Sequence, residues 1–550
     1  ADFLLGLPDE MLQFGAAPSN IRTYNLGAFW QDEWRVKPNL TLTFGLRYEY
    51  SSPKRDLQGR SFSLALGQQS TRFTNAPLGL LFPGDSGAPD GSNFPDKKNI
   101  GPRFGFAWTP GKQGKTSIRG GFGMFNDVLK AEDNLQFNGQ APFYGFADLF
   151  FDPLDAPGGA TKYFSDPFGA VGQTNPFPSK PPAKNLDFDA NGFLPFGGGG
   201  VYFVDPHLKT PYIYQYNLSV QRELARNLVA EVAYVGSDSH KLTGLYDSNP
   251  FVLGATKRVF NAQKGLNPDY ASYAFSYLDT FSNVGAANYN SMQASLTKRP
   301  GEVKFMGTAY FTLSWTYGKS IDNVSGFRTG AARVPYYDWN RFRAVSNFDL
   351  THYVVFSGGW DLPFDRMWTS GPKRLTPGWT LSPIMTFRTG QPLDIYAGIS
   401  RSRTRTGPSA AGDPNLVRVN LVNSVSYFDP HSVQALNGTS GNFYLNPSAF
   451  STAAFSASGF DPVNNASQRT YGTLGRNAIR GPHRVNLDMS LVKAVPIRER
   501  LNMQFRFEFF NIFNHAEFSN PSTTFTSGTF GQISNTADPR IIQLAARLMF

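Results

Sequence analysis

Apolar and polar residues alternate one by one through a series of short segments of this chain, and the segments come in pairs joined by tight turns. In one of the earliest, Leu40, Leu42, Phe44, Leu46, Tyr48 and Tyr50 share one face, while Thr41, Thr43, Gly45, Arg47 and Glu49 share the other. A period of two is the signature of a β-strand with two unlike faces. Its partner spans residues 24–35 and connects through Val36-Lys37-Pro38-Asn39. The same plan predicts strand pairs over residues 103–109 and 116–126, 212–221 and 228–236, 291–299 and 303–317, 351–361 and 379–389, and 484–492 and 501–513. A single strand over residues 541–550 closes the series at thirteen.

Between the pairs lie long segments rich in Gly, Pro, Asn, Asp and Ser, roughly residues 51–98, 127–208, 237–287, 319–346, 390–480 and 515–538. Structureless loops of this length are rare inside compact soluble domains. Short turns at one end of every pair and long loops at the other are the asymmetry of outer-membrane barrels. The expectation is an all-β chain: an antiparallel up-and-down transmembrane β-barrel with short periplasmic turns and long extracellular loops. Hydrocarbon offers no hydrogen-bond partners, so every backbone amide at that depth must pair within a closed sheet. Thirteen is odd, whereas bacterial single-chain barrels have an even number of strands. At least one further strand is therefore expected, and the chain reads as the C-terminal portion of a larger barrel over residues 1–550.

Composition sharpens this picture. Aromatics make up 15% of the 550 residues, with 50 phenylalanines, 54 glycines and 39 prolines, yet the mean hydropathy is only −0.31. No stretch approaches the roughly 20 consecutive apolar residues of a spanning helix, while alternating strands leave averaged hydropathy unremarkable. Cysteine is absent, which excludes disulfides, thiolate metal sites and a cysteine nucleophile. The net charge of +10 is scattered over loops and turns without a basic run, so no nucleic-acid partner is expected. The opening Ala1-Asp2-Phe3-Leu4-Leu5-Gly6 has no basic region or cleavage site, and an outer-membrane protein is expected to begin upstream of it.

Few residues suggest chemistry. Asp187, Asp189 and Asn191, followed by Gly192, match the first half of a calcium loop, but Gly198 stands where the bidentate acid belongs, and an Asx-rich turn is the default reading. The six histidines show no ligand spacing, and neither a serine elbow nor an acid pair is present. No cofactor and no enzymatic activity are expected. Alternation nominates Arg47, Glu49, Arg103, Arg119, Glu231, Arg388, Asp488, Arg506 and Glu508 as lumen-lining residues. Trp30, Trp34, Tyr48, Tyr50, Trp108, Tyr214, Tyr234, Trp315, Tyr317, Trp360 and Trp379 suit interfacial aromatic girdles. Ile542, Leu544, Ala546, Leu548 and Phe550 end the chain on an alternating apolar strand, which resembles the signal read by the barrel assembly machinery.

Several phrases add a resemblance. Phe29-Trp30-Gln31-Asp32-Glu33-Trp34-Arg35 through Leu46-Arg47-Tyr48-Glu49, Asn99-Ile100-Gly101-Pro102-Arg103-Phe104-Gly105, and Gln215-Tyr216-Asn217-Leu218-Ser219-Val220-Gln221-Arg222 all resemble the Oar-like, acidobacterial-type branch of TonB-dependent receptors. So do Thr389-Gly390-Gln391-Pro392 and Phe509-Phe510-Asn511-Ile512-Phe513-Asn514. The resemblance implies a barrel of about 22 strands, a plug, an N-terminal regulatory-like domain and a TonB-contacting segment, of which the plug, that domain, the TonB-contacting segment and the first strands are expected to lie outside this sequence. It implies binding and translocation of a large substrate of unknown identity. The implied partners are the TonB complex, outer-membrane lipid and lipopolysaccharide, and the assembly machinery. A passive porin or surface adhesin on the same barrel, and a soluble extracellular β-rich assembly protein, are the competing readings.

Overall fold

In the computed structural model the described residues are 10–14, 20–127, 146–151, 164–172, 175, 201–249, 258–266, 278–303, 307–326, 342–397, 418–436, 438–453, 472–498 and 501–550. Thirteen strands form one continuous antiparallel wall: β1 (Asn25–Lys37), β2 (Leu40–Ser51), β3 (Ile100–Trp108), β4 (Thr116–Asn126), β5 (Tyr212–Ala225), β6 (Leu228–Asp247), β7 (Leu278–Val303), β8 (Gly307–Asp322), β9 (His352–Leu362), β10 (Trp379–Arg388), β11 (Arg484–Arg498), β12 (Leu501–Phe510) and β13 (Ile541–Met549). Each pairs with its sequence neighbours, an up-and-down order without crossovers. Two short strands, Val201–Val204 on β7 and Ala344–Val345 on β8, bring the sheet to fifteen.

The period-two pattern locks the register, because a slip by one residue would exchange the two faces. Leu42 lies opposite Trp34 and Phe106, and Phe104 lies opposite Phe44 and Phe122, so the apolar face runs unbroken from strand to strand. At the far edge Phe505, Phe507 and Phe509 meet Ala546, Leu544 and Ile542 on that same face. Where a glycine interrupts the face, a neighbouring ring fills the space: a Cβ on Gly236 would run into the ring of Tyr216 directly across the strand pair. A few charged residues break the pattern, among them Asp32, Arg222 and Lys493. Asp32 sits between Trp30 and Trp34, opposite Phe44, and Lys493 turns its ammonium to the carbonyl of Pro377 beside the Trp379 ring.

Aromatic rings gather at both ends of the apolar face. Toward the long loops, Tyr212 stacks on His240, Tyr216 on Tyr234 and Trp315 on His352. Both tyrosine hydroxyls of the second pair donate to the Asn290 side-chain oxygen, at 3.3 and 2.5 Å. Toward the short turns lie Trp34, Trp108, Trp360 and Trp379. Trp30 and Trp34 are more than half exposed on the isolated chain, and Leu544 is 70% exposed. A continuous apolar belt of that kind marks a surface made for a nonaqueous partner.

The protein's buried core is not in the wall. Among the described residues, every buried apolar side chain belongs to a loop or to the loop-proximal ends of β6 and β7. One cluster joins Phe73, Leu80, Phe82, Phe203, Phe260 and Leu278; another joins Ile395, Val419, Leu445, Phe450, Leu474 and Phe530. The described parts of the segments whose composition suggests open loops are thus folded into a cap with cores of its own. The expected loop over residues 237–287 also gives way to structure, since β6 and β7 run on to Asp247 and from Leu278, paired down to Asp247 with Asp279.

Polar anchors hold the cap. The Asp85 carboxylate accepts from Ser70 Oγ at 2.6 Å, the main-chain amides of Thr71, Arg72 and Phe82 at 2.8 Å each, and Thr71 Oγ1 at 2.9 Å. Burial alone would raise its pKa, but these donors outweigh it and hold the carboxyl down at about 2. Three further carboxylates take arginines: Asp394 with Arg418, Asp349 with Arg480, and Asp322 with Arg476. The last two join the end of β8 and the segment that follows it to residues 472–480.

The wall does not close. Among the described residues β1 and β13 each have one neighbour, so two edges carry unpaired main-chain groups. An odd number of antiparallel strands also leaves β1 and β13 running in the same direction.

Candidate functional site: the polar face and its loop-end cavity

The face opposite the apolar belt carries all nine residues nominated by alternation. Arg47 aligns with Gly101, Gln221 with Glu231, Arg388 with Tyr353 and Arg484, and Glu508 with Ser490 and Gln543, each pair on this one side. Four of these nine charges are matched in pairs two residues apart on the same strand. Arg47 Nε donates to Glu49 Oε1 at 2.7 Å, and Arg506 lies 3.4 Å from Glu508. Arg119 Nε donates to Ser117 Oγ at 3.3 Å, Gln221 Nε2 donates to Glu231 at 3.4 Å, and the Arg103 guanidinium stands 4.5 Å over the Phe125 ring. Such exposed pairs add little to stability. Their effect is to keep the face wet while cancelling charge at short range.

Of the nine, only Arg388 and Asp488 come together at a single concave feature. A cavity of about 860 Å³ opens on the polar face of β9–β13 at the loop end, beneath residues 511–541. Its wall includes Tyr353, Arg388, Arg484 and Asp488, and Glu517 and Asp538 come from the covering segment. The other seven are distributed along the face and do not converge.

The cavity exists because β12 ends in a sharp turn. Asn511 and Asn514 both have positive φ, 50° and 53°, a region asparagine tolerates better than most residues. Asn511 N donates to Asp488 Oδ1 at 2.9 Å, its side-chain amide donates to the His515 carbonyl at 2.9 Å, and Asn514 Oδ1 accepts from Arg540 N at 3.0 Å. The start of the covering segment is thereby pinned to β11, and its two ends are tied to each other. Glu517 Oε1 accepts from Val485 N at 2.9 Å and lies 2.8 Å from His515 Nδ1. On the other side, the base of the cap closes at Gly390, where a Cβ would overlap the Gly481 carbonyl oxygen.

Sequence reasoning missed Arg484, Tyr353, Glu517 and Asp538. Arg484 was within reach, four residues before Asp488 in the same alternation. Glu517 and Asp538 sit in irregular backbone, where no periodicity points to a face. Asp187, Asp189 and Asn191 lie outside the described residues. Ile542, Leu544, Leu548 and Phe550 fall on the apolar face of the last strand or directly after it.

The family model for an outer membrane beta barrel domain matches residues 1–543. No curated protein matches the chain. Among solved structures, the outer membrane transporter YddB from Escherichia coli is 11% identical, with a TM-score of 0.44, over 96% of this chain and 54% of that one. The ferripyoverdine receptor of Pseudomonas aeruginosa is 9% identical, with a TM-score of 0.40, over 96% of this chain and 39% of its own. The siderophore receptor PirA from Acinetobacter baumannii is 9% identical, with a TM-score of 0.41, over 96% of this chain and 46% of its own. The chain thus spans about half the length of these structures or less.

Proposed function

Because this chain belongs to the outer membrane beta barrel domain family and so resides in the outer membrane, we propose that it forms most of the wall of a TonB-dependent, Oar-like transporter that binds a large substrate outside and passes it through the lumen. The observation that carries this reading is the open thirteen-stranded wall with parallel edges. Joining β1 to β13 directly would make a parallel seam, whereas an odd number of added strands restores an antiparallel, even-numbered barrel. A barrel of about 22 strands is of the plugged-transporter size, and a wet inner face studded with short-range ion pairs suits a wall that a plug must seat against and release.

In this reading Arg47, Glu49, Arg103, Arg119, Glu231, Arg388, Asp488, Arg506 and Glu508 line the lumen. The folded cap makes first contact with substrate, and Ile542, Leu544, Leu548 and Phe550 present the assembly signal. TonB acts through a plug rather than through this wall, and lipopolysaccharide packs against the outer girdle. The work is binding and passage, not catalysis.

Intact mass and single-channel conductance of the protein extracted from outer membranes test the proposal together. A mass near twice the 60.8 kDa of this chain, with conductance that stays low until the plug is unfolded with urea, supports it. A mass of 60.8 kDa, or a wide channel open without denaturant, overturns it in favour of a passive porin.

A further inference from the structure

Arg388 and Arg484 are Cα partners across β10 and β11, side by side on the polar face with Tyr353 completing the row. Like charges directly opposite one another destabilise a sheet. The other inner-face arginines nominated above have a carboxylate, a hydroxyl or a ring beside them. Among the described residues neither Arg388 nor Arg484 has a hydrogen-bond or ion-pair partner. The nearby carboxylates turn one oxygen each to other donors, Asp488 Oδ1 accepting from Asn486 Nδ2 and from Asn511 N, both at 2.9 Å, and Glu517 Oε1 from Val485 N, and neither carboxylate forms an ion pair with Arg388 or Arg484. Both residues line the cavity of about 860 Å³, a volume within the range of small-ligand sites.

We propose that Arg388 and Arg484 form an oxyanion subsite that takes the carboxylate or phosphate group of an incoming ligand. Two adjacent guanidiniums offer planar forks of donors that match such groups bidentately. An anion between them turns a repulsive pair into an attractive triad. Asp488 and Asp538, which also line the cavity, face the remainder of the ligand and favour hydroxyl or ammonium donors there. The inference rests on the transporter reading for the ligand's route, but the subsite itself would persist in a porin.

The test uses the full-length protein in detergent and follows thermal unfolding of the barrel in succinate, in inorganic phosphate and in chloride at matched ionic strength. Succinate or phosphate is expected to stabilise the wild type over chloride. The apparent affinity should fall by about tenfold or more in Arg388→Gln and in Arg484→Gln. Arg222→Gln, on the apolar face at the short-turn end of β5, should leave it unchanged. In chloride alone the two glutamine variants should be at least as stable as wild type, since one repulsion is gone. Equal anion response in wild type and variants, or no response to either anion, overturns the proposal. Variants that are less stable in chloride also overturn it, because they reveal an acidic partner already seated inside the protein. The conductance experiment reads the transporter question separately, so failure of one leaves the other interpretable.

Discussion

Replacing Arg476 with methionine tests whether the cap is a separately stabilised unit held by its buried ion pairs. Arg476 donates to the main-chain oxygen of Asp322 at 2.8 Å, to the Asp322 carboxylate, and to Ser325 Oγ at 3.1 Å. Its side chain and that of Asp322 are 6% and 2% exposed. Methionine keeps most of the stem and its packing but removes every donor. Asp322 is then left buried with the Ser325 hydroxyl, at 2.7 and 2.8 Å, as its side-chain donor among the described residues. Breaking a buried pair from one side costs about 3–5 kcal/mol. Local opening of the cap should therefore rise by about 100-fold or more, while β11 and β12, which contribute no side chain to the cap's cores, stay closed. Amide hydrogen exchange in detergent reads both at once. Faster exchange is expected around residues 322–326 and 472–480, with none in β11 and β12. The double variant Asp322→Leu with Arg476→Met should recover much of the loss, because removing both charges ends the desolvation penalty. Unchanged exchange in the single variant would refute the argument, and so would an equal acceleration in the wall.

Asp85 gives a pH test. Its folded pKa of about 2 lies below the ordinary 3.8, so its stabilisation is complete above pH 3.8 and drains away as pH falls toward 2. Asp85→Asn should loosen residues 63–88 at neutral pH by on the order of 2 kcal/mol, and the difference from wild type should vanish near pH 2 in proteolysis or exchange. At the base of the cap, Gly390→Ala should lower the yield of correctly folded barrel on heat-modifiability gels, because the Gly481 carbonyl occupies the space a Cβ needs; a yield equal to wild type would mean the backbone yields there freely. The two faces can be told apart with one residue type. Leu491→Arg, opposite Leu381 and Phe507 on the apolar face, should cost about 2–4 kcal/mol in bilayer unfolding. Gln504→Arg on the polar face should change little, and equal costs would mean the faces are misassigned.

The wall was legible because a membrane strand has to satisfy two demands at every step. Each residue faces either hydrocarbon or water, and each amide must pair with a neighbour, so the residue types alternate strictly and the turns fall where the alternation stops. Leu40 to Tyr50 and Leu501 to Phe510 show this directly, and their observed bounds differ from the pattern by a few residues at most. Two of the recurrent phrases also have a visible physical basis: Gly390 sits where a side chain cannot fit, and Asn511 and Asn514 adopt left-handed backbone at the end of β12.

By itself, then, the sequence determined an all-β wall, its thirteen strands, their order, and which face of each is polar, since these follow from period and turn length within a few dozen residues. Only the tertiary structure decided that the Gly- and Pro-rich segments fold into a cap with cores around Phe82 and Phe530, that Asp322 meets Arg476 and Asp349 meets Arg480 across more than a hundred residues, and that Arg388 faces Arg484 over a cavity. Those contacts join irregular segments far apart in the chain, where no repeat distance constrains the partner, and they exist because the wall fixes where each loop begins and ends.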